Sequence, residues 1–248
     1  DAQIEAPVEE QISATLVKKE PRGGKIKEVT YNENLGTTEW RLSNGIKVVF
    51  KPTEFKQDEI RFSAFSKGGT SLVATEDLAS AALVTDIIAF SGIADFSMTQ
   101  LQKVLVGKNV SIGPSISGYR EEMNGSSTVK DFETLLQLNY LYFTAPRKDE
   151  KAFQSLNEIL KTQLANRSKN PKAIFGDSVA MIQNNYSPRT LIFDTKALEM
   201  VSLDKALEIY KQRFANPADF TFTFVGNIDP NDEQTKAVIC KWIGGLKT

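Results

Sequence analysis

Two apolar periods alternate along the chain from Thr38 onward. Trp40, Leu42, Ile46, Val48 and Phe50 recur at alternate positions on either side of Asn44-Gly45. This is the pattern of two strands joined by a tight hairpin. Ile60-Arg61-Phe62-Ser63-Ala64-Phe65 alternates in the same way and predicts a third strand, stopped by Gly68-Gly69. The spacing then lengthens. Residues 75–90 predict a helix capped by Thr75, with Glu76 and Asp77 in its first turn, and residues 97–106 a shorter helix opening on Ser97. Residues 110–118 and 119–128 alternate again as a strand pair. Apolar positions 132, 135, 136, 140 and 143 mark a helix over 130–143, ended by Pro146. Helices are also predicted over 148–167, 171–184 and 203–214; in the last, Leu203, Ala206, Leu207, Tyr210 and Phe214 share one face. Phe220, Phe222 and Phe224 alternate with Thr221 and Thr223 in a further strand closed by Gly226-Asn227, and residues 230–243 finish as a helix.

Strands that return directly on one another, separated by helices, imply an α+β domain. The expected architecture is a mostly antiparallel mixed sheet covered by helices mainly on one face. Three phenylalanines on one side of a strand require deep burial of that side, which places the strand at or near the sheet centre. Residues 1–36 are different. They are polar, without sustained periodicity, and are interrupted by Pro7, Pro21, Gly23 and Gly24 among scattered lysines. They read as a linker or inter-lobe segment, leaving 37–248 as a single domain.

Composition narrows the chemistry. The 248 residues include no histidine, which removes Ser-His-Asp and Cys-His machinery and every His-based metal site. Lys plus Arg is 30 against 31 Asp plus Glu, a net charge of -1, so no electrostatic drive toward nucleic acid or an anionic membrane exists. The one cysteine, Cys240, has no partner for an internal disulfide. No apolar run approaches the roughly 18 to 20 residues of a membrane span. Asp1 is not a Met, so a missing leader says nothing of a longer parent.

Three local constellations were candidates for function. Gly68-Gly69-Thr70-Ser71 follows a strand, but lacks the spacing and Lys of a phosphate loop and reads as a turn. Glu121 and Glu122 are adjacent on a strand, so their carboxylates point to opposite faces and read as a solvated edge rather than an acid/base pair. Asp86, in an apolar helix, is a candidate buried acid, with an exposed or capped position the preferred reading.

Several segments in order resemble one repeat of the pitrilysin/insulinase zinc metallopeptidases. Leu42-Ser43-Asn44-Gly45-Ile46-Lys47-Val48-Val49 resembles the family's opening hairpin, and Phe65-Ser66-Lys67-Gly68-Gly69-Thr70 its next strand. Tyr210-Lys211-Gln212-Arg213-Phe214, then Phe222 to Asp229, resemble its closing helix and strand, and Trp242-Ile243-Gly244-Gly245-Leu246 its terminal segment. The resemblance implies repeats of one α+β domain, paired into two lobes that clamp an unfolded peptide. It places the inverted zinc motif, His-x-x-Glu-His, at Leu83, Asp86 and Ile87. Two ligand places are therefore apolar, and the third ligand would fall near residues 158–166. The chain should be a non-catalytic, substrate-chamber and peptide-holding domain of a zinc metalloendopeptidase involved in proteolysis. It resembles the third of four repeats in a long bacterial member, with residues 1–36 as the inter-lobe connection. No cofactor or metal is expected in this chain, and zinc in the catalytic domain of the parent. The implied partners are the catalytic lobe of the same or a partner chain and an unfolded peptide substrate, with no nucleic acid and no membrane span. A bacterial source would mean a periplasmic or cell-envelope setting. A structural scaffold or adaptor subunit of the same fold is the alternative; an intact His-x-x-Glu-His upstream in the same chain would decide for the peptidase.

Overall fold

The computed structural model describes residues 15–248. Strands β1 (Ile26–Asn32), β2 (Thr37–Leu42), β3 (Lys47–Pro52) and β4 (Ile60–Lys67) come first, followed by α1 (Leu78–Ala82), α2 (Val84–Ser91) and α3 (Met98–Val104). The hairpin β5 (Val110–Ile116) and β6 (Arg120–Ser127) leads into α4 (Phe132–Thr144), α5 (Glu150–Arg167), α6 (Pro171–Gln183), α7 (Thr195–Glu199) and α8 (Leu203–Arg213). Strand β7 (Thr221–Gly226) and α9 (Glu233–Trp242) close the chain. The strands form one sheet in the order β1-β2-β3-β7-β4-β6-β5. Among the described residues only the β3–β7 pair is parallel; the others are antiparallel. This is the mixed α+β sheet that the alternation predicts.

One row of paired residues shows how the period of two builds the core. Trp40, Val48, Phe222, Ala64 and Met123 are successive cross-strand partners over five strands, and none is more than 2% exposed. The next row, Glu39, Val49, Thr223, Ser63 and Asn124, falls on the opposite face and is half-buried or exposed. Helices therefore cover the first face. Strand β7 is the fourth of seven, and Phe220, Phe222 and Phe224 are all buried. The closing motif serves this packing. Tyr210 on α8 donates its hydroxyl hydrogen to the Tyr142 carbonyl on α4 at 2.9 Å and stacks on Phe214. Asn44 in the β2–β3 turn donates to the carbonyls of Ile243 and Leu246, both at 3.0 Å, tying the hairpin to the end of the chain.

Three local features differ from the sequence expectation. Part of the stretch read as linker, Ile26–Asn32, is an edge strand. It lacks an apolar period because neither of its faces is well covered: Val29 and Tyr31 are exposed. Ahead of it, residues 15–25 lie across the domain. Leu16 and Val17 are buried, Glu20 pairs with Lys241 at 2.6 Å, and Gly24 donates its N–H to the Cys240 carbonyl. Gly24 and Gly244 cross so closely that a Cβ on Gly24 would stand 2.7 Å from the Gly244 oxygen. Residues 1–14 of the expected linker lie outside the described residues. The helix expected over 75–90 is broken at Leu83, whose N–H bonds to Ser80, three residues back, at 3.2 Å. Thr75 opens a short 3-10 turn and does not cap the helix through its side chain. Ser97, in contrast, caps α3 in a full capping box with Gln100.

Asp131 pins the root of the β5–β6 hairpin. Its buried carboxylate accepts from the Asn109 N–H at 2.8 Å and the Thr128 hydroxyl at 3.0 Å, with Lys108 at 3.5 Å. These contacts, the Asn109 N–H foremost, hold its pKa below the ordinary carboxylate value. A lowered folded pKa stabilises above the unfolded value of about 3.9 and is lost as pH falls through the folded value. Asp131→Asn is expected to be less stable than the wild type in urea at pH 7. The gap should narrow as the pH is brought below about 4. A gap independent of pH over that range would show that the charge of Asp131 is not what stabilises the hairpin.

Candidate functional site

The break at Leu83 sets the surroundings of Leu83, Asp86 and Ile87, where the zinc motif was expected. Leu83 at the break and Ile87 one turn later are buried, at 5% and 1% exposure. They join the core cluster that also holds Leu156 of α5. Asp86 lies on the exposed side of the first turn of α2. Protein packed beside it withdraws water from the carboxyl and raises its pKa. Helix α5, which includes residues 158–166, packs against α2. The one carboxylate in that window, Glu158, is exposed and pairs with Lys161. Among the described residues no group of three or more His, Cys, Asp or Glu could hold a metal ion. Leu83 and Ile87 carry no donor atom, so the residues present at these expected positions do not fit zinc.

Strand β5 runs beside this motif, in contact with both α2 and α4. Its partner is β6, and among the described residues no strand pairs with its outer side. The register gives the direction of each backbone group. The Ser117 N–H bonds to the Arg120 carbonyl at 2.8 Å, and the Thr128 N–H to the Asn109 carbonyl at 3.2 Å. In an antiparallel pair such residues alternate with ones whose N–H and C=O point away. Ser111, Gly113 and Ser115 therefore bond to β6, while Val110, Ile112, Pro114 and Ile116 present their backbone groups to the open edge.

Comparison with known proteins places this arrangement. No family model matches the chain. The chain is 27% identical over 243 residues to a PQQL-like zinc protease of Arabidopsis thaliana, covering 96% of the chain and 22% of that protein. It is 24% identical over 219 residues to the probable zinc protease PqqL of Escherichia coli, with 88% and 23% covered. The crystal structure of the periplasmic protease PqqL from E. coli superposes with a TM-score of 0.76 at 22% identity, over 94% of this chain and 25% of that one. A peptidase M16 inactive domain from Pseudomonas fluorescens gives 0.65 at 15%, over 84% and 52%. The chain is similar in sequence to these zinc proteases and shares the fold of pitrilysin-type peptidase domains. It spans about a quarter of the length of the curated relatives that it matches. The first half of E. coli PqqL also has this fold, with a TM-score of 0.66 at 12% identity, over 92% of this chain and 48% of that half.

In this domain the Gly68–Ser71 turn has no backbone N–H left for a phosphate. Gly68 donates to the Tyr119 carbonyl, Thr70 to Ser117 and Ser71 to Gly118, while Gly69 donates to the Glu121 carboxylate at 2.5 Å. Arg189 holds the following passage, donating to the carbonyls of Thr70 and Val73. Glu121 is thus 3% exposed and not on a solvated edge. Glu122, on the other face as expected, pairs with Arg120 at 3.1 Å. The burial of Glu121 left no local signal, because its partner is a turn 52 residues earlier. The edge at Pro114 did leave one. Proline inside a strand pattern marks an edge, since it has no N–H to give to a ladder.

Proposed function

We propose that this pitrilysin-type domain is a non-catalytic wall of the substrate chamber in a longer zinc metalloendopeptidase, where it holds extended peptide while another lobe cuts. The observation that carries the reading is the burial of Leu83 and Ile87, side chains without a donor atom, at the positions that the family resemblance assigns to the two histidines. A zinc-hydroxide mechanism needs three ligands and a base near the bound water. Asp86, the counterpart of the base, has a shorter side chain than Glu and no metal-bound water to act on. The coverage of its relatives favours a unit of a longer chain. So does recurrence of the fold. E. coli PqqL as a whole offers a match at 22% identity and its first half one at 12%, which favours a counterpart outside the first half. This fits a later repeat, with residues 1–36 leading in from the catalytic lobe.

A wall of this kind contributes by excluding water and orienting the substrate. Unpaired backbone groups on the outer side of β5 can take up an extended chain with little demand on side-chain identity. The described part of the lead-in leaves that side open, since β1 takes the opposite edge of the sheet. With half the clamp missing, affinity for an unstructured peptide should be in the high micromolar range or weaker, about -4 to -6 kcal/mol. Metal analysis of the purified, untagged chain, together with incubation with that peptide, tests the reading. The expected outcome is no stoichiometric zinc and no cleavage. Tightly held zinc at one per chain, or cleavage that a chelator stops, would overturn it.

A further inference from the structure

The open edge of β5 is interrupted in its middle. Four residues present their backbone to it, Val110, Ile112, Pro114 and Ile116, and all four offer a carbonyl. Only three offer an N–H, because Pro114 has none. The Cδ of its ring stands where the missing hydrogen would be. A peptide carbonyl arriving opposite Pro114 meets a methylene instead of a donor, and loses water without gaining a bond.

We propose that Pro114 limits how far an extended peptide can pair with β5, so that this edge takes short stretches and lets them go. The inference rests on the reading of the domain as a peptide-holding unit, and it names the residue that regulates the holding. A peptide strand can pair beside Val110 and Ile112, or beside Ile116, but must bow away between them. Each segment contributes few bonds, so bound peptide leaves quickly. In a chamber where the cut is made elsewhere, a continuous ladder would retain substrate away from the zinc. An interrupted one guides it. The sheet itself loses nothing to this proline. Residue 114 faces away from β6, and its neighbours Gly113 and Ser115 make the ladder bonds.

The same geometry makes Pro114→Ala a clean test, since the restored N–H points outward and no bond to β6 changes. A labelled, unstructured, proline-free peptide is titrated into the 248-residue chain and its Pro114→Ala variant, each checked for wild-type circular dichroism and for monomeric state. The titration is repeated with the peptide N-methylated at every residue, which sets a methyl group on both of its edges and prevents strand pairing. The variant should bind the plain peptide about three- to tenfold more tightly than the wild type, the value of one net hydrogen bond. The N-methylated peptide should show no such gain. Equal affinity of both proteins for the plain peptide would overturn the role of Pro114. So would a gain that survives N-methylation, or a variant that dimerises and takes up no more peptide. Absence of binding to either protein at millimolar peptide would instead remove the peptide-holding reading on which the inference rests.

Discussion

Phe222→Ala is expected to lower the unfolding free energy by about 3–5 kcal/mol. The ring is fully buried on the central strand β7, flanked by Val48 of β3 and Ala64 of β4. It lies 6.1 Å from Phe62 and 5.8 Å from Phe143 between ring centroids. Phe62 belongs to the sheet and Phe143 to α4, so truncation removes transfer energy and also opens a cavity between layers. The surrounding backbone is held by ladder bonds on both sides and cannot collapse into the space. Urea denaturation of both proteins, compared at equal slope, measures the effect. A loss under about 1 kcal/mol would mean that the site relaxes freely, which a close-packed sheet centre should not.

Gly69→Ala should cost a comparable amount through a different mechanism. Gly69 has φ +62 and receives the turn between β4 and α1 against the tip of the β5–β6 hairpin. An added Cβ would overlap the Ser117 carbonyl oxygen and come within 2.5 Å of the Arg120 nitrogen. The left-handed backbone alone costs an alanine roughly 1–2 kcal/mol. Displacement of the hairpin tip also breaks the bond from Gly69 to the buried Glu121, and an unpaired buried group costs about 1–3 kcal/mol more. The total, about 2–5 kcal/mol, should appear in denaturation. Hydrogen exchange should locate it, through faster exchange at the Gly68 and Thr70 amides. Unchanged protection at those amides would show that the hairpin tip does not depend on this turn.

Both expectations show how much the sequence alone carried. Strand and helix periods are local, so the alternation of Phe220, Phe222 and Phe224 was enough to predict a near-central strand, and Asn44-Gly45 enough to predict a hairpin. The absence of histidine was legible in the same way, because it concerns residue identity and not position in space. What depended on distant partners could not be read. Strand β1 carries no apolar period, and it is a strand only because β2 offers an edge to pair with. The crossing of residues 15–25 over the end of α9 relies on Gly24 meeting Gly244 from the other end of the chain. Glu121 looked like a surface carboxylate until the Gly69 turn folded onto it. The alternation over residues 110–118 predicted a strand, but only the pairing register determined that the missing N–H of Pro114 faces the open side of β5. Local periodicity reports which face of an element is buried; which elements meet, and which backbone groups remain unpaired, is set by contacts between residues far apart in the chain.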